Sequence, residues 1–241
     1  MPLIDVHCSM VLVIDAQQDF YTRERTDVDA LHEMFARAAW LVDVASRLGV
    51  PVVVIEEDAS LRGATACVIR DALPKDAPVF PKWTFGADAD DDILATIEAT
   101  GADTNALVGL ETDVSVTHSA LGLKERGKRS VAMHDALYSP GIAQGNGLGR
   151  MERAGVELVS AKELVCDWLR MAPTTRAFFL SNPDLEDPAG FSLWAPRGRL
   201  RPRPTSPRST SPWRRYAAGP RGQRSPGHRP TRRGPLPRPV R

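Results

Sequence analysis

Apolar residues fall along the chain in two alternating rhythms. Short, mostly apolar runs, several rich in β-branched residues, occupy positions 11–14, 52–55, 79–80, 106–108, 130–133 and 156–159. Such runs suit strands buried on both faces, as in a parallel sheet. Between them apolar residues recur every three or four positions. Leu31, Met34, Phe35, Ala38, Leu41, Val42, Ala45 and Leu48 make one apolar face behind a cap at Asp27 or Asp29. Gly49 closes that helix, and Pro51 stands just before the next strand. Further helices are predicted over 90–99, 115–125 and 142–154. A last one, capped by Ser160 with Glu163 in the capping-box position, runs through Leu169. The alternation predicts a three-layer α/β/α domain with a mostly parallel, Rossmann-like central sheet. In that architecture ligands bind beyond the carboxyl ends of the strands.

Composition divides the chain. Residues 195–241 hold 14 arginines, 11 prolines and no acidic residue, leaving 17 basic against 30 acidic residues in 1–194. The first part is long enough for one hydrophobic core, and its acidity argues against a specific nucleic-acid surface. The second reads as a disordered Arg/Pro-rich tail, an extension or a shifted reading frame, able to bind polyanions weakly. The three cysteines are widely spaced with no CxxC, which indicates neither a structural zinc nor a redox pair. Neither a signal peptide nor an apolar run of membrane-spanning length is visible, so a cytoplasmic protein without membrane association is expected.

Chemistry-bearing residues collect at the predicted strand ends: Asp15, Glu56-Glu57-Asp58, Lys82, the segment 111–115 and His134-Asp135. Asp15 directly follows four apolar residues, so its carboxylate needs a partner or loses its charge. It could take a proton from a nucleophile and return it to a leaving group. Lys82 could pair with Asp15 or stabilise developing negative charge, or it could be a solvated loop residue. Ser115 would open a helix, which suits a nucleophile beside backbone amides and equally suits an ordinary cap. His118, one turn on, would serve as a base only if its ring turned back toward the strand ends. The acids at 56–58 read as a solvated loop before they read as a cation site.

The segments VLVIDAQQDF, VFPKWTFG and VGLETDVSVTHSALGLKERG, in that order and spacing, resemble the isochorismatase-like family of cysteine hydrolases. That family includes nicotinamidases, N-carbamoylsarcosine amidases and isochorismatases. The resemblance runs from about Leu12 to Leu169, and 182–193 is a candidate for the end of the same domain. It implies a catalytic set of Asp15, Lys82 and Ser115, with Ser115 where the family has its nucleophilic cysteine. It implies a cis peptide at Leu110–Glu111, an oxyanion hole from the amides of Glu111 and Ser115, and pocket walls from Phe20, Trp83, Phe85 and Tyr138. The function it implies is hydrolysis of a C–N bond (amide or ureido) or an enol ether in a small-molecule substrate. No cofactor or metal is called for, and the zinc-binding histidines of nicotinamidases are missing around 56–58. Assembly into a homo-oligomer is expected by the same analogy. An alcohol is a far weaker acid than a thiol, which raises an alternative: a catalytically impaired relative that binds a small molecule or a protein partner.

Overall fold

The computed structural model describes residues 2–21 and 26–188. The expected domain end at 194, the stretch 189–193 and the tail 195–241 lie outside the described residues. Six strands form one sheet: β1 (Ser9–Ile14), β2 (Val52–Glu57), β3 (Val79–Lys82), β4 (Thr104–Leu110), β5 (Arg129–Tyr138) and β6 (Glu157–Val159). Their spatial order is β3-β2-β1-β4-β5-β6, and every pairing is parallel. The chain steps outward from β1 to β3, then crosses back to β4. The order therefore reverses between β1 and β4, and a crevice opens beyond their carboxyl ends.

The sheet is buried because its central strands carry apolar residues on both faces. All six residues of β1 are shielded from solvent. Met10, Leu12 and Ile14 point to one side, into a core with Ile93, Ile97, Val116, Ala120, Leu123 and Met151. That side is covered by α4 (Asp91–Ala99), α5 (Thr117–Glu125) and α6 (Ile142–Arg153). The other side packs on α1 (Val28–Leu48) and α7 (Ala161–Leu169). Both have the ends the sequence calls for. The Asp27 side chain accepts from the Ala30 amide, Gly49 takes the left-handed conformation, and Ser160 with Glu163 forms the capping box.

Three helices carry too little periodicity to be read from sequence: α2 (Ala59–Arg62), α3 (Cys67–Arg70) and α8 (Ala172–Ser181). The last explains a detail of α1. Trp40 lies off the expected apolar stripe yet is buried, because Phe179 of α8 stacks on its ring with centroids 6.4 Å apart. Beyond α8, Arg47 binds Asn182 and Asp184 and ties the chain back to α1. Strand β5 outruns its expected end by five residues; the pairing register with β4 shifts between Leu107 and Gly109, and the strand then continues to Tyr138. Among the described residues no helix is long and apolar enough to cross a membrane.

One contact sets how closely the two halves of the sheet meet at the crevice. Gly109 has φ +128°, and a Cβ built there would lie 1.9 Å from the Ile14 carbonyl oxygen. Only glycine fits, on both conformational and steric grounds. Gly109→Ala is expected to lower unfolding free energy by about 3 kcal/mol. Urea denaturation followed by circular dichroism would measure this, and an unchanged midpoint would show that β1 and β4 can part without loss.

Candidate active site

Asp15 follows the last residue of β1 and turns out of the strand with φ +47°, a left-handed conformation that aspartate tolerates better than most residues. Its amide still bonds the Ile55 carbonyl of β2 at 2.9 Å, and that of Gln17 returns to the Asp15 carbonyl at 2.7 Å. The Gln17 side chain then clamps the end of β2: it accepts from the Glu57 amide and donates to the carbonyls of Glu57 and Gly63. These bonds fix the Asp15 carboxylate over the crevice, where it is fully buried.

Lys82 ends β3, an edge strand in which Pro81 is tolerated because a backbone donor is not needed there. Its aliphatic stem crosses under the end of β2, and its ammonium is also fully buried. The three N–H groups have three neighbours: Asp15 Oδ2 at 3.0 Å, Ser115 Oγ at 3.2 Å and the Thr84 carbonyl at 2.8 Å. Ser115 itself does not open a helix as a cap. It sits in a wide π-helical turn, Thr112–Val116, that precedes α5, and is wholly shielded from solvent. The cap reading of its hydroxyl therefore gives way to a contact with Lys82. Its carbonyl accepts from the Ser119 hydroxyl at 2.8 Å.

The Leu110–Glu111 peptide is trans, against the cis bond that the resemblance implies; the described residues contain no cis peptide. The chain reverses direction through Glu111 instead, at φ 54° and ψ 65°. A left-handed residue costs about 1–2 kcal/mol, against roughly 3 for a non-proline cis bond. The amide of Glu111 lies near the hydroxyl of Tyr21, whose ring abuts those of Phe20 and Tyr138 at centroid distances of 5.1 and 5.9 Å.

Burial dominates the electrostatics. Desolvation lifts the Asp15 carboxyl above the ordinary carboxylate range, opposed by the Lys82 charge and by Ser115. Neither carboxylate oxygen accepts a well-aligned hydrogen bond, so compensation stops short. Glu111 is lifted for a related reason: it is half-buried and faces the charges of Glu57, Asp113 and Asp15. Burial also raises Tyr21.

The expected pocket walls divide into two groups. Phe20 and Tyr138 are buried, with the Arg62 guanidinium 4.7 Å above the Phe20 ring and the Tyr138 hydroxyl accepting from the Asp27 amide at 3.0 Å. Trp83 and Phe85 are exposed, 74% and 58%, so in this chain they face solvent and do not enclose the crevice. Both lie beyond the end of β3 at Lys82, and the lysine is the buried side chain of that strand. His118 is exposed with its ring against Phe85, and does not turn back to serve as a base. His134 is exposed, and Asp135 accepts the first amide of α7 at 2.9 Å, so the aspartate supports a helix end. Glu56 is not solvated as expected: it is buried and bonded to the amide and hydroxyl of Thr65 at 2.6 and 2.7 Å. Among the described residues no three His, Cys, Asp or Glu side chains group to hold a metal ion.

Sequence reasoning missed the layer behind the serine. The Thr112 hydroxyl meets Gln144 Oε1 at 2.7 Å, and the same oxygen accepts from the Ser139 amide at 2.8 Å. The Ser139 hydroxyl donates to Asp113 at 2.7 Å, and the Thr117 hydroxyl to the Thr112 carbonyl at 2.6 Å. Gly147 lets α6 press on this turn, since a Cβ there would lie 2.6 Å from the Thr112 carbonyl group and the Asp113 nitrogen. Gln17 lies inside a recognisable segment and was findable; Gln144 and Gly147 sit in a helix whose pattern speaks only of packing.

A family model described as the isochorismatase domain matches residues 9–163, which spans β1 to the first turn of α7 and includes the buried Asp15, Lys82 and Ser115. The chain belongs to the isochorismatase family. Solved structures agree in fold. The chain is similar to the MAR1 ribonuclease from Caenorhabditis elegans (22% identity, TM-score 0.69, covering 83% of this chain and 100% of that one). It is similar to the Escherichia coli YcaC gene product, described as an octameric hydrolase of unknown specificity (20%, 0.64, 77% and 98%). It is also similar to N-carbamoylsarcosine amidase from Thermoplasma acidophilum (18%, 0.54, 64% and 96%). Among curated proteins none matches the sequence.

The buried ion pair has a stability signature. Lys82→Met leaves the Asp15 carboxylate buried without its cation, at an expected cost of about 3 kcal/mol at neutral pH. The folded-state value of Asp15, already raised, rises further. A carboxyl raised in the folded state favours folding at low pH, and that advantage is lost as pH climbs through the raised value. The deficit of Lys82→Met should therefore shrink on acidification. Denaturation of both proteins across an acid-to-neutral series measures it; a deficit independent of pH would trace the loss to packing.

Proposed function

We propose that the chain is a small-molecule hydrolase in which Ser115, Asp15 and Lys82 act together on a C–N bond of an amide or ureido substrate, or on an enol ether. One observation carries the reading: the Lys82 ammonium sits within 3.2 Å of both Asp15 and the Ser115 hydroxyl, with all three side chains buried at the crevice. Because Lys82 donates to Ser115 Oγ, the hydroxyl proton is free to turn to Asp15. A carboxyl raised by burial is a stronger base than an ordinary one, and Lys82 stabilises the oxygen as the proton leaves. Ser115 Oγ attacks the carbonyl, the amides of Glu111 and Ser115 receive the oxyanion, and Asp15 hands its proton to the departing nitrogen. Water then releases the acid. The N-carbamoylsarcosine amidase likeness supports the C–N bond. For an enol ether, protonated Asp15 would donate to the vinyl carbon and water would attack. The reading makes the protein a cytoplasmic homo-oligomer, in line with octameric YcaC, with its catalytic domain over 1–194 and the tail outside it.

A second reading, ligand binding without turnover, is favoured by the serine itself, since an alcohol yields its proton far less readily than a thiol.

Turnover of amides, ureido acids and isochorismate by the full chain, followed by ammonia or product release, tests both. Asp15→Asn is expected to lower the rate by about 10²–10⁴-fold, and Ser115→Cys to raise C–N cleavage at least about tenfold. An inactive chain made active by Ser115→Cys would mean an intact scaffold with an inadequate nucleophile and would favour the second reading. The pH profile separates the two bonds. C–N cleavage needs ionised Asp15, so its rate climbs as pH rises through the raised carboxyl value. Enol-ether cleavage needs protonated Asp15, and its rate falls over the same interval.

A further inference from the structure

We propose that Gln144 is a positioning residue for the reaction: from α6 it fixes the turn that carries Ser115 and the two oxyanion amides against the Asp15–Lys82 pair. The inference rests on the hydrolase reading for a C–N bond and adds to it a residue outside the catalytic set. That set stands on two supports. Asp15 follows β1 and Lys82 ends β3, both within the sheet. Ser115 belongs instead to the π-helical turn Thr112–Val116, which the chain enters through the left-handed Glu111. Such a conformation persists only where its neighbours over-determine it.

Thr112 stands between the groups that must converge, one residue after Glu111 and three before Ser115. It is wholly buried. Its carbonyl accepts from the Thr117 hydroxyl at 2.6 Å, a bond within the same segment. Its hydroxyl donates to Gln144 Oε1 at 2.7 Å, which reaches across to α6. The Gln144 amide is itself oriented. Oε1 also accepts from the Ser139 amide at 2.8 Å, and Nε2 donates to the Leu137 carbonyl at 3.1 Å. The side chain thus meets the end of β5 on either side of Tyr138, as the peptide group of a neighbouring strand would. Turning the amide over would set its N–H against the Ser139 N–H, so the oxygen is held toward Thr112. Gly147, one turn further along the same face of α6, lets the helix come this close. The 3.2 Å contact between Lys82 and Ser115 depends on where this turn lies. A displacement of about 1 Å at a reacting group costs on the order of 10²-fold in rate. Gln144 bonds the turn through Thr112 and not through Ser115, so its loss falls on kcat and spares KM.

The test uses the full chain and the best-used amide or ureido acid, at a temperature where circular dichroism shows every variant folded. Gln144→Met and Thr112→Val keep side-chain volume and remove the bond; each is expected to lower kcat by about tenfold or more, with KM within about threefold. Thr112→Ser restores the hydroxyl and should recover most of the rate. The double variant should be no slower than the worse single one, because both remove one shared contact. Thr112→Val carries the test if Gln144→Met does not fold. A fall in kcat of less than tenfold, a change confined to KM, or losses that multiply in the double variant overturns the proposal. If neither the chain nor Ser115→Cys cleaves an amide or ureido acid, the hydrolase reading is what fails, and hydrogen exchange of the peptide covering 110–117 decides. Exchange about tenfold faster in Gln144→Met, confined to that peptide, then sustains the positioning role; unchanged exchange, or a rise across the whole sheet, overturns it.

Discussion

Two opposite charges, Asp15 and Lys82, are buried completely where the strand order of the sheet reverses. Removing both from water costs several kcal/mol per ion, and their attraction repays this only with good geometry and satisfied neighbours. Much of the surrounding backbone serves that requirement. The Gln17 clamp on β2, the Thr84 carbonyl and the wide turn that carries Ser115 all hold a donor or acceptor where the pair needs one. The repayment is incomplete at Asp15, whose oxygens lack aligned hydrogen bonds and whose carboxyl is raised. A pair kept for stability alone would be better replaced by apolar side chains. Its retention in a crevice is what a proton-transferring group would require.

The positions of these groups follow from strain as much as from attraction. Asp15 and Glu111 are both left-handed without being glycine, and they end neighbouring strands. Gly109 permits the Ile14 carbonyl to approach between them. Left-handed side-chain residues persist only where the surroundings over-determine them. Here those surroundings are a fully buried parallel sheet and the α6 face that Gly147 lets close on the serine turn. The turn is thus held by α6 packed directly against it.

Much of this was legible in the sequence because burial on both faces leaves unbroken apolar runs, and a chemistry-bearing residue directly after such a run marks a strand end. Asp15 is found that way and Lys82 nearly so, one proline after its run, whereas four residues separate Ser115 from its strand and the family resemblance marks it. What the sequence hid has physical causes. Trp83 and Phe85 look like walls because they are aromatic and close to Lys82, yet both lie beyond the end of β3 and are exposed. Helix α8 carries no strong stripe, so nothing in the sequence signals that Phe179 covers Trp40. Glu56 looked solvated because its partner, Thr65, is set by a loop and not by a repeat.

The serine can be weighed by what surrounds it. In water a carboxylate is a poor base for an alcohol, but this hydroxyl is not in water. Lys82 donates to its oxygen, which lowers the cost of negative charge there, and burial makes the Asp15 carboxyl more basic. Both effects act in the direction that a serine needs and a thiol needs less. They also limit each other: the same lysine that stabilises the alkoxide holds the aspartate in its less basic, ionised form. Whatever net advantage remains depends on solvent staying out once substrate binds. The rim of Phe20, Tyr21 and Tyr138 covers one side of the crevice, while Trp83 and Phe85 are left outside in this chain. A site built so would be most reactive with a substrate that itself closes the open side.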